Sequence, residues 1–389
     1  MKSTLVEALL VLLISACGRL NAATYQVSLL NQSPQQAAAG GLYGDATVGG
    51  LGNPGNAAAL WPTPSSPPVS LHPAGFAASS ASKIHGNSQV GQGTIAGGET
   101  HALLWHSTPE SVIDLHPEGY RQSTATDVSE STQVGAGIAT GGSAYHALLW
   151  SGTSASVVDL HAPSYSQTYA WAADETGQTG WGLVGSPSTY HALVWHGTAE
   201  SVVDLHPDSY RLTTAYGGGG TSQVGYGMTK SEPVQAHALL WHGSASSVVN
   251  LHPPGFTYTS AQAAAGEWQV GNGALANSNV TRALAWKGSA DSVIDLHSIL
   301  EQQTGLTFYS SVSTDVDECG NVVGIGEVRG QGRFAIRWSL VPEPTSFVIA
   351  TLGLLIAYAL TQRRASGYVL LEQKERPARF ARFAGRVNC

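Results

Sequence analysis

The sequence predicts an all-β protein, a seven-bladed β-propeller closed by its own N-terminal strand, and three observations carry that prediction. Trp61, Trp105, Trp150, Trp195, Trp241, Trp286 and Trp338 recur about every 45 residues, with a longer last interval. The text around them repeats as well: "HALLWHSTPESVIDLHPEGY" from His101, "HALLWSGTSASVVDLHAPSY" from His146, "HALVWHGTAESVVDLHPDSY" from His191 and "HALLWHGSASSVVNLHPPGF" from His237, with eroded copies around Trp61 and Trp286. The composition suits short strands and many turns, with 46 Gly and 18 Pro in 389 residues and only 11% charged side chains.

The N-terminus, "MKSTLVEALLVLLISACGRLNAATYQV", has one Lys, an apolar run from Ala8 to Ala16 and small residues at Ala22 and Ala23, so residues 1–23 read as a secretory signal peptide. Ile14-Ser15-Ala16-Cys17 also fits a lipoprotein box, which would make Cys17 a lipidated first residue. Three cysteines, Cys17, Cys319 and Cys389, are too few for a disulfide framework.

Residues 24–340 then divide into blades. In the unit from Ser123, "STATDVSE" is a first strand, "TQVGAG" a second, "HALLW" a third and "SASVVDLH" a fourth, each short, apolar and bounded by turn residues. The second strand repeats Gln-Val-Gly at Gln89, Gln133, Gln223 and Gln269, and Gln-Thr-Gly at Gln178. A recurrent Gly inside a strand implies close approach of another backbone. Six units run complete from the second strand to the fourth, whereas "STDVDECGNVVGIGEVRGQGRFAIRWSL" supplies three strands only. "TYQVSLLNQSP" from Thr24 matches the "SVVDLHP" pattern and is expected to complete that last blade, which removes an open sheet edge. An eight-bladed ring or an open solenoid is the alternative.

After the blades come Val341-Pro342-Glu343-Pro344, an apolar run from Phe347 to Leu360, then Arg363 and Arg364. A run of roughly 15 residues spans only ~23 Å as a helix, against a hydrocarbon core of ~30 Å. The Lys/Arg flank is expected on the cytoplasmic side, and residues 365–389 read as a basic tail.

The order Pro342-Glu343-Pro344, apolar helix, Arg363-Arg364 resembles the PEP-CTERM sorting signal of Gram-negative bacteria that make exopolysaccharide. The resemblance covers residues 341–364 and implies an exosortase-like sorting peptidase as partner, which would cut at the motif and release the protein to the cell exterior. The tail departs from it, because such signals usually stop soon after the arginines. Across residues 24–340, "ATDVSESTQVGAG" followed by "HALLW" and "VVDLH" is similar to the HAF-type extracellular repeat, with Leu for the usual Phe and His for Gly after Asp-Leu. That resemblance implies an exported β-rich protein and no established reaction.

Several function classes are excluded or disfavoured by composition. A net charge of -8 and the lack of a basic patch in the blades exclude nucleic-acid binding. No phosphate loop, serine-nucleophile elbow or HExxH helix is present. Of the 14 histidines all but His85 occupy three repeat positions, so a structural once-per-blade network is expected, as in WD-repeat propellers, and no metal site or cofactor. Asp114, Asp159, Asp204 and Asp295 share one repeat position, with Asn250 in another blade, which gives no nonequivalent carboxylate pair for a glycosidase. Asp315, Asp317 and Glu318 break the repeat as a weak calcium-loop match, more simply a turn with solvated acids.

Aromatic residues are the better lead. Phe76, Tyr120, Tyr165, Tyr210 and Phe256 each follow the Asp-Leu-His position by four residues and are expected in the loop to the next blade, ringing one face. Trp171, Trp181 and Trp268 lie outside the repeated Trp position. All eight are candidates for stacking on a ligand, with packing between blades as the competing role. The sequence thus predicts an exported, non-catalytic binding or structural propeller at the cell surface or in the extracellular matrix, transiently anchored in the inner membrane, with exopolysaccharide or surface glycans as partners. The alternative is a secreted propeller enzyme acting on polysaccharide.

Overall fold

The Gly of each Gln-Val-Gly explains how a blade is built. A Cβ on Gly135 would lie 1.9 Å from the Thr124 carbonyl oxygen, and one on Gly180 would lie 1.9 Å from that of Tyr169. Only Gly lets the second strand approach so closely. The approach is made where the innermost strand bulges, with register shifts between Ala125 and Asp127 and between Ala170 and Ala172. The Gln has a separate role: Gln133 Oε1 accepts from Gly152 N and Gln178 Oε1 from Gly197 N, both at 2.8 Å. It thereby holds the turn after Trp, where Gly152 and Gly197 adopt positive φ.

The computed structural model describes residues 24–341 except 33–34, 53–56 and 186–188. The signal peptide, Pro342, Glu343, Pro344, the apolar run, Arg363, Arg364 and the basic tail therefore lie outside the described residues. Blades 1 to 6 span residues 37–70, 76–114, 120–159, 167–204, 210–250 and 256–295, each an antiparallel four-stranded sheet in sequence order. Blade 7 takes three strands, Phe308–Val316, Val322–Val328 and Gly332–Val341, and its outermost strand is Thr24–Leu29. The expected closure is present: Leu30 N donates to Ala335 O at 2.9 Å, and Asn31 Oδ1 accepts from Ala335 N at 2.8 Å.

Two expectations need correction. The fourth strand of a blade is only two residues, such as Val158–Asp159, and the Ser154–Ser156 stretch before it is a 3-10 turn. Its serine diverts the backbone from pairing: Ser156 Oγ accepts from Ser151 N at 2.8 Å and donates to Thr153 O at 2.6 Å. Between blades 6 and 7 the chain is also not pure β, because helix α1 spans Leu296–Thr304. Asp295 caps its start, Gly305 ends it at φ 67°, and Leu296 and Leu300 are buried. This helix accounts for the longer last Trp interval. It also clasps the closing strand, since Gln303 Oε1 accepts from Val27 N at 2.9 Å and Gln303 Nε2 donates to Tyr25 O.

The core lies in the seams between blades. All seven repeat tryptophans are fully buried. Trp195 of blade 4 packs with Val134, Ala147 and Leu149 of blade 3, and Trp61 of blade 1 with Val323 and Ala335 of blade 7. The same packing against the preceding blade recurs at Trp105, Trp150, Trp241 and Trp286, so it includes the seam where the chain ends meet.

Candidate functional site

The repeat histidines form a structural network. His101 Nδ1 donates to Asp114 Oδ2 at 2.7 Å, and His116 stacks on His101 with ring centroids 4.0 Å apart. His116 Nε2 donates to Tyr120 O at 3.0 Å, so its Nδ1 accepts from Ser123 Oγ at 2.8 Å, while Ser123 accepts from Ala102 N at 3.0 Å. The geometry recurs with His146, Asp159, His161 and Thr168, and with His191, Asp204, His206 and Thr213. In blade 5 Asn250 pairs with His237 at 3.1 Å, and in blade 6 Arg282 replaces the histidine opposite Asp295 at 2.6 Å. Serine, histidine and aspartate are adjacent here without forming a charge relay. The buried serine hydroxyl is spent on a histidine and a backbone N–H, and that histidine turns its second nitrogen to a carbonyl rather than to the aspartate.

Burial and the neighbouring ring push the pKa of His116, His161 and His206 below the usual imidazole value, and His252 falls to about 4 for the same reasons. These rings are neutral near pH 7, as the tautomer argument requires. Among the described residues no three His, Cys, Asp or Glu side chains gather as a metal site.

One residue of the innermost strand directly follows this bulge in every blade. It is small in four blades, as Gly41, Ala172, Gly217 and Ala263, and charged in three, as Lys83, Asp127 and Asp315. Lys83 crosses from blade 2 past Gly41 to reach Asp315 of blade 7, at 2.5 Å. Asp127 Oδ1 accepts from Val128 N and Oδ2 from Ala173 N of the next blade, both at 2.9 Å; Asp315 Oδ2 accepts likewise from Leu42 N of blade 1. Burial raises the Asp127 carboxyl to about 7, with Lys83 working against it. These carboxylates tie inner strands of neighbouring blades together. The three acids of "DVDECGN" do not converge: Asp315 pairs with Lys83 and Leu42 N, while Asp317 accepts from the backbone and side-chain amide of Asn321 in a turn.

The expected ring of loop aromatics is not found. Phe76, Tyr120, Tyr210 and Phe256 begin innermost strands, and Tyr165 lies two residues before the start of one. The rings of Phe76, Tyr120, Tyr165 and Tyr210 lie over a second-strand glycine and a third-strand leucine of their own blade, as Tyr120 does over Gly137 beside Leu148. Phe256 packs against the seam cluster that contains Trp286. Glycine leaves a flat hollow that the aromatic ring fills in those four blades, and Phe256 packs at the seam instead, so all five have packing roles. Trp268 is also interior, 2% exposed, edge-on to Tyr25 and covered by Lys287 Nζ at 4.1 Å.

Trp171 and Trp181 behave differently. Tyr169 stacks on both, at 4.7 Å and 5.7 Å, and meets Tyr145 of blade 3 at 5.5 Å. Trp181 meets Tyr190 at 5.0 Å, and Trp171 meets Tyr216 of blade 5 at 5.7 Å, which lies 6.0 Å from Tyr226. These separations are those of interacting aromatic rings. The result is an aromatic arc over blades 3 to 5, with Tyr145 36% and Tyr190 39% exposed. At the repeat position of Trp181 and Tyr226, other blades carry Gly50, Gln92, Ala136, Asn272 and Ile325. Sequence reading found the two tryptophans and missed the five tyrosines, although a comparison of equivalent repeat positions carries the signal. Burial raises the pKa of Tyr169 and Tyr216, so both keep a phenolic proton to donate.

No family model matches the chain, and no curated protein matches it significantly. Among solved structures it is similar to the β-propeller domain of the Trilobed protease from Pyrococcus furiosus, at 10% identity over 82% of this chain and 95% of that one, with a TM-score of 0.47. It is also similar to TolB from Acinetobacter baumannii, at 9% identity over 66% of this chain and 65% of that one, with a TM-score of 0.39. Likenesses this distant carry no function across.

Proposed function

We propose that this chain is an exported, non-catalytic binding propeller, retained at the cell surface or in the extracellular matrix after sorting through Pro342-Glu343-Pro344. The observation that carries the binding reading is the aromatic arc, the one large group of side chains that departs from the sevenfold pattern while remaining partly open to solvent among the described residues. A repeated scaffold has no packing need for Trp181 where its neighbour has Ala136. Surfaces of this kind engage ligands by stacking, at low entropic cost because each ring has few rotatable bonds. The reading as a binder rather than an enzyme is supported by the engagement of the acids: Asp114, Asp159 and Asp204 hold histidines, and Asp127 and Asp315 hold backbone amides.

Export and sorting rest on residues 1–23 and 341–364. A span of ~23 Å makes a poor permanent anchor, which agrees with removal by an exosortase-like peptidase. Expressed in a host with an exosortase, the full chain should appear outside the inner membrane with its C-terminus cut near 342–344, read by mass spectrometry. The released protein should cosediment with the host's exopolysaccharide. Recovery of the intact chain in the inner membrane, unchanged when Pro342, Glu343 and Pro344 are replaced by Ala, would overturn the sorting reading.

A further inference from the structure

Beside the arc lies a cavity of about 180 Å³ that reaches across blades 2, 3 and 4. Gln92, Thr100, Gln122 and Thr124 supply amide and hydroxyl groups to its walls, and Tyr145 and Tyr169 supply aromatic rings. None of the lining residues is charged. The Thr124 hydroxyl donates to the Gln92 amide oxygen at 2.9 Å, bridging blades 3 and 2 and setting that amide in place. Ala136 and Gly137 of the second strand also line it. In blade 4 the residue equivalent to Ala136 is the far larger Trp181.

At ~30 Å³ per water the cavity corresponds to about six waters, which is the scale of a single sugar ring and well below the ~300 Å³ at which drug-sized pockets begin. A hexopyranose presents an apolar C–H face and a rim of hydroxyls, each both donor and acceptor. Aromatic rings on one side with amides and hydroxyls on the other match those two surfaces. A carboxylate-bearing sugar would find no cation among the lining residues, and its desolvated charge would be uncompensated.

We infer that the cavity walled by Gln92, Gln122, Tyr145 and Tyr169 is a subsite for one neutral hexopyranose unit of a polysaccharide, and that the arc through Trp181 and Tyr190 carries neighbouring units of the same chain. This rests on the binding reading above and narrows it to neutral glycans. Tyr145 and Tyr169 belong to both the cavity and the arc, so a chain can pass from one to the other without a break in contact.

The test is calorimetric titration of the full chain with linear hexaoses of glucose, mannose and galactose, and with an alginate hexauronate as the acidic probe. At least one neutral hexaose should bind, and alginate should bind at least tenfold more weakly. Tyr145→Ala and Gln122→Ala, both at partly open positions, should each weaken the neutral hexaose by about 5-fold or more, while the thermal melt stays that of the parent chain. Tyr309→Ala, at an exposed ring on blade 7, should leave binding unchanged. Neutral binding that survives both cavity variants would overturn this subsite yet leave the binding reading in place. Alginate as the only ligand would overturn the neutral assignment. Silence of all four probes, together with no cosedimentation with exopolysaccharide, would remove the binding reading as well.

Discussion

Trp195 and Trp181 sit in the same blade, and they live in different regions of the molecule. Trp195 ends the third strand, is fully buried, and fills the seam against Val134, Ala147 and Leu149. Trp181 lies in the second strand, partly exposed, between Tyr169 and Tyr190 in the arc. The first recurs in every blade because every seam has the same hollow to fill. The second occurs once because nothing in the ring requires it. In a repeated fold, regularity marks what closes the ring and departure marks what the ring presents.

The seam half of this comparison can be broken hardest at the closure. Deleting residues 24–30 exposes the outer edge of blade 7 and removes the Leu30 carbonyl that accepts from Trp61 Nε1 at 2.9 Å. The variant should aggregate or melt far below the parent chain, and an unchanged calorimetric melt would mean that the ring does not depend on this strand. Next comes Trp195→Ala, which should cost ~3–5 kcal/mol in denaturant unfolding as a core truncation. Gly180→Ala asks whether the Gly of the repeat is required: its Cβ meets the Tyr169 carbonyl at 1.9 Å, so a loss of ~1–3 kcal/mol is expected from the forced shift.

Acid probes the histidine network as a whole. His116, His161, His206, His237, His252 and His297 all have pKa values lowered first by burial. Below about 6.5 the unfolded chain takes up protons that these folded sites resist, so stability present at pH 7 is lost as pH falls, down to about 4 for His252. Asp127 runs the other way: its raised carboxyl favours the folded state at low pH, and that contribution is lost as pH rises through about 7. Six groups oppose one, so Tm should drop on going from pH 7 to pH 4.5. A Tm that rises over that interval would contradict the neutral, hydrogen-bonded assignment of the rings. The smallest effect sharpens the opposite half of the comparison: Trp181→Ala should cost no more than about 2 kcal/mol, because the side chain is already partly in water. A loss equal to that of Trp195→Ala would make Trp181 a packing residue and weaken the case for the arc.

Periodicity alone determined a good deal. The spacing of the tryptophans, the short apolar runs and the unpaired seventh unit were enough for the blade count and for the closing strand, because strand pairing and seam packing repeat with the chain. Helix α1 was missed, although Asp295, the apolar Leu296 and Leu300 and Gly305 carry its signal inside a β repeat. The short outer strand was not legible, since "SASVVDLH" has strand composition and only the hydrogen bonds of Ser156 divert it into a turn. The site required the tertiary structure most of all. Phe76 and Tyr120 look like Trp181 in a sequence, an aromatic ring amid small residues, and what separates them is whether a glycine of the same blade lies beneath the ring. Tyr145, Tyr169, Trp171, Trp181, Tyr190, Tyr216 and Tyr226 stand on three blades and up to 81 positions apart. Local pattern fixes which strands form, whereas neighbours across blades are set by the ring's curvature, and the arc becomes continuous only through the Tyr145–Tyr169 and Trp171–Tyr216 contacts between blades.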